Sequence, residues 1–410
     1  MGVARGIGIL AGTVVILGIG IYAPVTLLGP LPAASVTRVE LEDPEPASPP
    51  ALPAAGASAV TLSPAETPFA VAGGTDPLPM ASITKTITAL VVLDKHPLGA
   101  DSPGQTIPIT SDDYLAYLDY QAAGTRTVSV YTADAWTERE MLQAMLLGSS
   151  NNHADTLARW AFGSVDAYVV AANAWLASQD LSGTVVVDAT GLSAQSVGTA
   201  ADLARLSALA LETPAIATVL SEPVSGLPSR RGVVNTTTYM PESGVVGISR
   251  SYTDAGGICL QFGLDVRVEG ADEPLRVYGV FLGQPDWDAL DTGMLALVES
   301  AKAGVSAVPV LAEGTPVVTL TTVWGDSAKG IAGLSVESLR WGQTTPEVTV
   351  DAGPVTTAGA GTSIGTILVD DGTGGDQKVS LKLGSSLHDP GVFWRLSHPG
   401  ILLRALIGSF

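Results

Sequence analysis

The 410-residue sequence has one cysteine, four histidines and only 5% aromatic residues. With a single sulfur no intrachain disulfide can form, and Cys259, inside the apolar run Ile258-Cys259-Leu260, reads as a buried core thiol. His96, His153, His388 and His398 are scattered without metal-ligand spacing, so no metal and no other cofactor is expected. No glycine-rich phosphate loop is present, and the seven tryptophans are dispersed as core residues are, not clustered as a sugar-stacking platform. Basic residues are scarce as well: 20 against 40 acidic ones give a net charge of -20, which disfavours nucleic acid and anionic surfaces as partners. Any anionic ligand must be met by a local cation. What remains is 46% apolar, enough to bury a sizeable core and to exclude disorder of the whole.

Residues 6–28 carry no charge and are dense in Ile, Val, Leu, Gly and Ala, about the length that crosses a bilayer's hydrocarbon. Arg5 precedes this run, so the positive-inside tendency puts the N-terminus in the cytoplasm and the rest of the chain outside. A cleaved signal peptide is the rival, with small residues at Ala33-Ala34-Ser35, and either reading exports the protein. The organisation expected is a transmembrane anchor over 1–29, a Pro/Ala-rich linker with the acidic residues Glu40, Glu42, Asp43 and Glu45 over 30–58, and an α+β domain over 59–306. An all-β module over 307–386 and an apolar tail over 387–410 follow; Pro399 interrupts that tail, which either touches the membrane or packs on the β module.

Within the α+β region, Ser82 to Leu93 reads as a helix, and Thr137-Glu138-Arg139-Glu140 is a capping box opening another that ends near Gly148. Thr199 caps a third, with Asp202 a capping or helix-face residue; Val245–Tyr252, Gly257–Phe262 and Leu275–Leu282 read as strands before a helix over Leu290–Ala303. Ser82 and Lys85, three residues apart on a helix, project from one face, so the lysine can reach the hydroxyl. A lysine whose pKa is lowered by burial can take that proton, and the helix N-terminus offers backbone donors to an oxyanion. Ser150-Asn151-Asn152 supplies a Ser-x-Asn element in the polar turn between two helices.

Together with Asp188-Ala189-Thr190-Gly191-Leu192, Thr199-Ala200-Ala201-Asp202-Leu203 and Asn235-Thr236-Thr237, these motifs resemble the low-molecular-weight penicillin-binding proteins of the serine D-alanyl-D-alanine carboxypeptidase type, over roughly residues 60–305. The resemblance implies a transpeptidase/β-lactamase-like fold: an antiparallel sheet flanked by helices, with a helical subdomain. It makes Ser82 the nucleophile, Lys85 its base, Ser150 a proton relay, Asn152 a binder of the substrate backbone, and the backbone donors of Ser82 and Tyr252 the oxyanion hole. Peptidoglycan stem peptides are the implied substrate and β-lactams the implied acylating inhibitors, met by a single-pass protein of the cell membrane.

The pattern breaks at the third motif. Where the family carries Gly-x-Lys-Thr-Gly-x-Thr on a strand, this chain has Gly247-Ile248-Ser249-Arg250-Ser251-Tyr252-Thr253, and no other Lys-Thr-Gly or Lys-Ser-Gly occurs. Ser249 removes a positive charge, Arg250 offers a planar fork able to clasp a carboxylate, and Ser251 adds a side chain where substrate backbone should approach; Tyr252 and Thr253 complete the expected binding strand. Alternation along a strand keeps Arg250 from the lysine's place. The readings that follow are an active serine carboxypeptidase with Arg250 recognising the carboxylate, or an impaired homologue that binds peptidoglycan or a protein. A β-lactamase lacks its Glu-x-x-Leu-Asn element here.

Overall fold

In the computed structural model, residues 2–41, 48–64, 67–221, 233–342, 347–370 and 376–408 are described. The chain divides into two units, one of Met1–Pro46, Ala307–Ser338 and Gln343–Phe410, the other of Ala47–Ser306 with Leu339–Gly342.

The second unit is built on a five-stranded antiparallel sheet in the order Ala70–Gly73, Ala57–Thr61, Leu275–Gln284, Gly257–Val266, Val245–Thr253. Gly257–Val266 is nearly all apolar because both faces of the sheet are covered. On one face, Phe262, Phe281 and Leu264 pack with Leu290, Met294 and Leu297 of the helix Trp287–Gly304. On the other, Cys259, Val280 and Leu282 join the core of the helical part, so the lone thiol is buried, which pushes its pKa up to about 11. The helix Thr84–Lys95 runs through the middle of that core with Thr84 to Leu93 all buried. Capping boxes at Thr110/Asp113 and Thr137/Glu140 fix where the helices Ser111–Ala122 and Glu138–Leu146 begin.

The first unit has a six-stranded sheet in the order Ser35–Arg38, Pro316–Thr321, Ser327–Ala332, Asp376–Leu383, Ser363–Asp370, Glu347–Ala352. Its core gathers Leu320, Ile367, Val369, Leu381 and Leu383. Ser35–Arg38 corrects the linker reading of 30–58: Ser35 to Arg38 pair antiparallel with Thr321 to Val318, and Ala57 to Thr61 belong to the other unit's sheet. A window dominated by Pro and Ala hides a four-residue strand with two β-branched residues, Val36 and Thr37, whose partner is distant in sequence. Glu42, Asp43 and Glu45 lie outside the described residues.

Helical residues Gly6–Leu28 form a run long and apolar enough to cross a membrane, exposed over most of its length; an export signal has the same composition. The end of this run meets two short helices, Gly391–Ser397 and Pro399–Gly408, divided where Pro399 requires. The Tyr22 hydroxyl donates to the Leu396 carbonyl, and Arg395 Nη1 donates to the Gly29 carbonyl at 3.0 Å. Trp394 also stands edge-on to Trp324, at 5.6 Å between ring centroids, so the tail does pack on the β module.

Candidate active site

Ser82 lies in a short 3-10 turn, Ala81–Ile83, that feeds the helix Thr84–Lys95. One helical step on, Lys85 Nζ is 3.0 Å from Ser82 Oγ and donates to the Thr190 carbonyl at 2.8 Å. Burial pushes the amine down to about 7, with Asp188 pulling it back up and Arg126 pressing it further down. A lysine lowered in this way can be neutral near neutral pH, where an exposed one is an ammonium.

The Asp188–Leu192 segment braces this pair from behind. The Asp188 carboxylate accepts from the Gly191 and Ser193 amides and from the Thr190 and Ser196 hydroxyls, at 2.8–3.0 Å. Gly191 has φ +77°, and a Cβ there would stand 1.7 Å from the Ala81 carbonyl oxygen. Ala81 itself is left-handed, at φ +47°. The residue preceding Ser82 is thus held by a turn that only glycine can make.

The second motif needs a correction by one residue. It is Ser149, not Ser150, whose hydroxyl reaches Ser82 Oγ, at 3.0 Å, from a left-handed backbone at φ +51°. Ser150 is the N-cap residue of the helix Asn151–Phe162, and its hydroxyl donates to Asn152 Oδ1 at 2.7 Å and meets His153 Nδ1 at 2.8 Å. Asn152 exchanges hydrogen bonds with the Val128 backbone inside the protein. Asn151, by contrast, lines the cleft, and its buried Oδ1 has no hydrogen-bond partner. Ser149-Ser150-Asn151-Asn152 satisfies Ser-x-Asn in two registers. The signal that separates them is the capping position, because a serine at a helix start is engaged locally and leaves its predecessor free. Ser149→Ala is expected to slow acylation of Ser82 about a hundredfold, the scale of one positioned proton-transfer group. Ser150→Ala should instead cost about 1–3 kcal/mol of stability by stripping buried partners, with acylation by the folded fraction little changed. Melting temperatures and penicillin labelling of the two variants separate these outcomes.

Strand Val245–Thr253 carries the altered third motif, with a register shift between Gly247 and Ser249 that bulges Ile248. Gly247 lies against Thr237, where a Cβ would meet the carbonyl oxygen at 1.8 Å. Thr236 in turn donates from its amide and hydroxyl to the Leu147 carbonyl, at 2.8 and 2.9 Å, tying this strand to the end of the helix before Ser149. Beyond the bulge Ser249 and Ser251 are buried, while Arg250 is half-buried and Tyr252 exposed. Ser249 stands with Lys85 and Thr86 around a small void and adds no charge there. The Arg250 guanidinium rests 5.4 Å from the Tyr239 ring centre and 5.1 Å from that of Trp287, with no carboxylate partner among the described residues. Tyr252 donates its hydroxyl to Asp254, and Thr253 accepts from the Gly256 amide in the turn that follows.

These elements enclose an open cleft of about 750 Å³ lined by Ser82, Ser149, Asn151, Arg126, Arg250 and Tyr252 among others. It presents a serine hydroxyl beside a neutralisable amine, a second hydroxyl, an amide oxygen with no partner among the described residues, and two arginines. Arg126 was not foreseen, since a lone arginine between Thr125 and Thr127 gives no pattern.

Residues 72–261 match the family model described as D-alanyl-D-alanine carboxypeptidase, peptidase family S11. A D-alanyl-D-alanine endopeptidase of Pseudomonas aeruginosa is 34% identical over 33% of this chain and 41% of its own length. One of Escherichia coli is 30% identical over 44% of this chain and 58% of its own. A D-alanyl-D-alanine carboxypeptidase of Mycobacterium tuberculosis is 29% identical over 43% and 59%. The chain thus spans about half the length of the curated relatives it matches. Among solved structures, a peptidoglycan synthesis regulatory factor (PBP3) of Streptococcus pneumoniae superposes with TM-score 0.57 at 19% identity, over 82% of this chain and 99% of that one. Penicillin binding protein 6B of Escherichia coli gives 0.57 at 16%, over 84% and 99%, and shares the fold. By that fold and the match over residues 72–261, this part of the chain is similar to the S11-type D-alanyl-D-alanine carboxypeptidases.

Proposed function

We propose that this chain is a membrane-tethered, extracytoplasmic serine D-Ala-D-Ala carboxypeptidase that trims peptidoglycan stem peptides. The observation that carries the reading is the Lys85 amine, 3.0 Å from Ser82 Oγ and lowered by burial to about 7. Neutral Lys85 takes the Ser82 proton as Oγ bonds to the carbonyl carbon of the D-Ala-D-Ala amide. The C–N bond then breaks, the proton passes to the departing amine of D-alanine, and water cleaves the resulting ester. Asn151 Oδ1 accepts a substrate N–H, and Arg250 or Arg126, neither with a carboxylate partner among the described residues, meets the terminal carboxylate.

The test is fluorescent-penicillin labelling of the full chain in detergent beside Ser82→Ala. Labelling is expected in the wild type and lost in the variant; a folded wild type that never labels would overturn the reading. Release of D-alanine from a pentapeptide then identifies the carboxypeptidase. Because two of the relatives bear the name endopeptidase, a cross-linked peptide belongs in the same assay, and cleavage of that substrate alone would replace the carboxypeptidase assignment.

A further inference from the structure

Ser251 occupies the position where the family motif has glycine, and its side chain is directed inward. It is buried, and it shares the cleft lining with its neighbours Arg250 and Tyr252. Its hydroxyl oxygen accepts a hydrogen bond from the backbone N–H of Ser82 at 3.3 Å. That N–H belongs to the nucleophile residue itself and sits at the start of the turn and helix, where backbone donors have no helical acceptor. It is the donor nearest in covalent terms to Ser82 Oγ, and an oxyanion formed on attack needs such a donor unengaged and already in place. A glycine at 251 would present no side-chain acceptor.

We propose that Ser251 is a gate on acylation: its hydroxyl engages the Ser82 amide in the resting site, and a carbonyl oxygen must displace it before attack is stabilised. Ser251 is a positioning residue, acting through the Ser82 amide and not on substrate. A donor satisfied beforehand contributes only the difference between two hydrogen bonds to the transition state, where a free donor contributes the whole. The cost falls on the chemical step, since the oxyanion exists only there. The inference rests on Ser82 being the acylation centre.

The experiment compares wild type, Ser251→Ala, Ser251→Gly and Ser251→Thr in stopped-flow acylation by a fluorescent penicillin, resolving the initial dissociation constant from the acylation rate constant. Removing the hydroxyl in the Ala and Gly variants is expected to raise the acylation rate constant about five- to tenfold, the equivalent of one net hydrogen bond, with the dissociation constant unchanged. The Thr variant keeps the acceptor and should remain slow. Unchanged or slower acylation in both Ala and Gly would overturn the gate, even though the acyl-enzyme survives. Absence of labelling in every form would overturn the acyl-enzyme reading instead, and this inference with it. Amide hydrogen exchange at Ser82 in the wild type, slow if the amide is engaged and fast if it is free, provides a check that needs no variant.

Discussion

Lys85→Met is expected to slow penicillin acylation of Ser82 by about 10² to 10⁴, the range assigned to a positioned general base. Methionine retains the length and apolar stem that fill the buried site but cannot accept a proton. In the wild type the acylation rate should rise with pH through about 7 and then level off. The sign follows from the direction of the shift. Burial lowers the amine from 10.5 to about 7, so at pH 6 most of it is ammonium and cannot accept the Ser82 proton, whereas at pH 8 most is neutral. With Ser249 where the family motif has lysine, the depression owes most to burial and little to a second ammonium alongside. A profile flat between pH 5.5 and 9, or a Lys85→Met rate within a few fold of wild type, would remove Lys85 from the role of base.

Gly191→Ala is the substitution expected to do most harm to the site from outside it. At φ +77° an alanine is disfavoured by about 1–2 kcal/mol before any contact is considered. Its Cβ would then lie 1.7 Å from the Ala81 carbonyl oxygen, a backbone atom with no rotamer through which to yield. Either the Asp188 turn opens and releases the carbonyl that Lys85 holds, or the residue before Ser82 moves. The expected loss is about 4 kcal/mol or more of stability, with labelling abolished in whatever remains folded. Gly124→Ala is the control, because Gly124 has a similar φ of +67° but open space around it, and only the backbone term should appear. Equal melting temperatures for the two variants would show that close packing at Ala81 is not what Gly191 serves.

The pair Ser82 and Lys85 was legible because helical spacing is a local rule, and the capping box at Thr137 marked the helix ahead of the second motif for the same reason. Three strands of the five-stranded sheet, Val245–Thr253, Gly257–Val266 and Leu275–Gln284, were legible from their apolar runs, whereas Ala57–Thr61 straddled the expected end of the linker. The choice between Ser149 and Ser150 was not, since it depends on a left-handed residue at 149 and on the Val128 backbone that draws Ser150 and Asn152 inward. Ser251, expected to stand where substrate backbone approaches, does line the cleft, but its contact with the Ser82 amide gave no sign in the sequence. The bulge at Ile248 sets which way the following residues point, and bulges are made by packing, here by Gly247 closing on Thr237. Within the β module, strand Ser327–Ala332 carries little signal in the sequence, because Gly330 and Lys329 blur its alternation.

Ser35 hydrogen-bonds to Thr321 across 286 residues of sequence. In order of synthesis, then, the first strand of the six-stranded sheet emerges, nearly all of the other unit is made, and only afterwards does a partner for that strand exist. The chain is nested: one unit is interrupted to accommodate another. Such a pairing has a very high contact order and closes late. Until it does, Ser35–Arg38 is an unprotected edge on a nascent chain, while the residues around Ser82 already have everything needed to assemble. Truncation after residue 306 would therefore leave the nucleophile's surroundings coded in full but strand Ser35–Arg38 without a neighbour, a hazard of misassociation and not of lost chemistry.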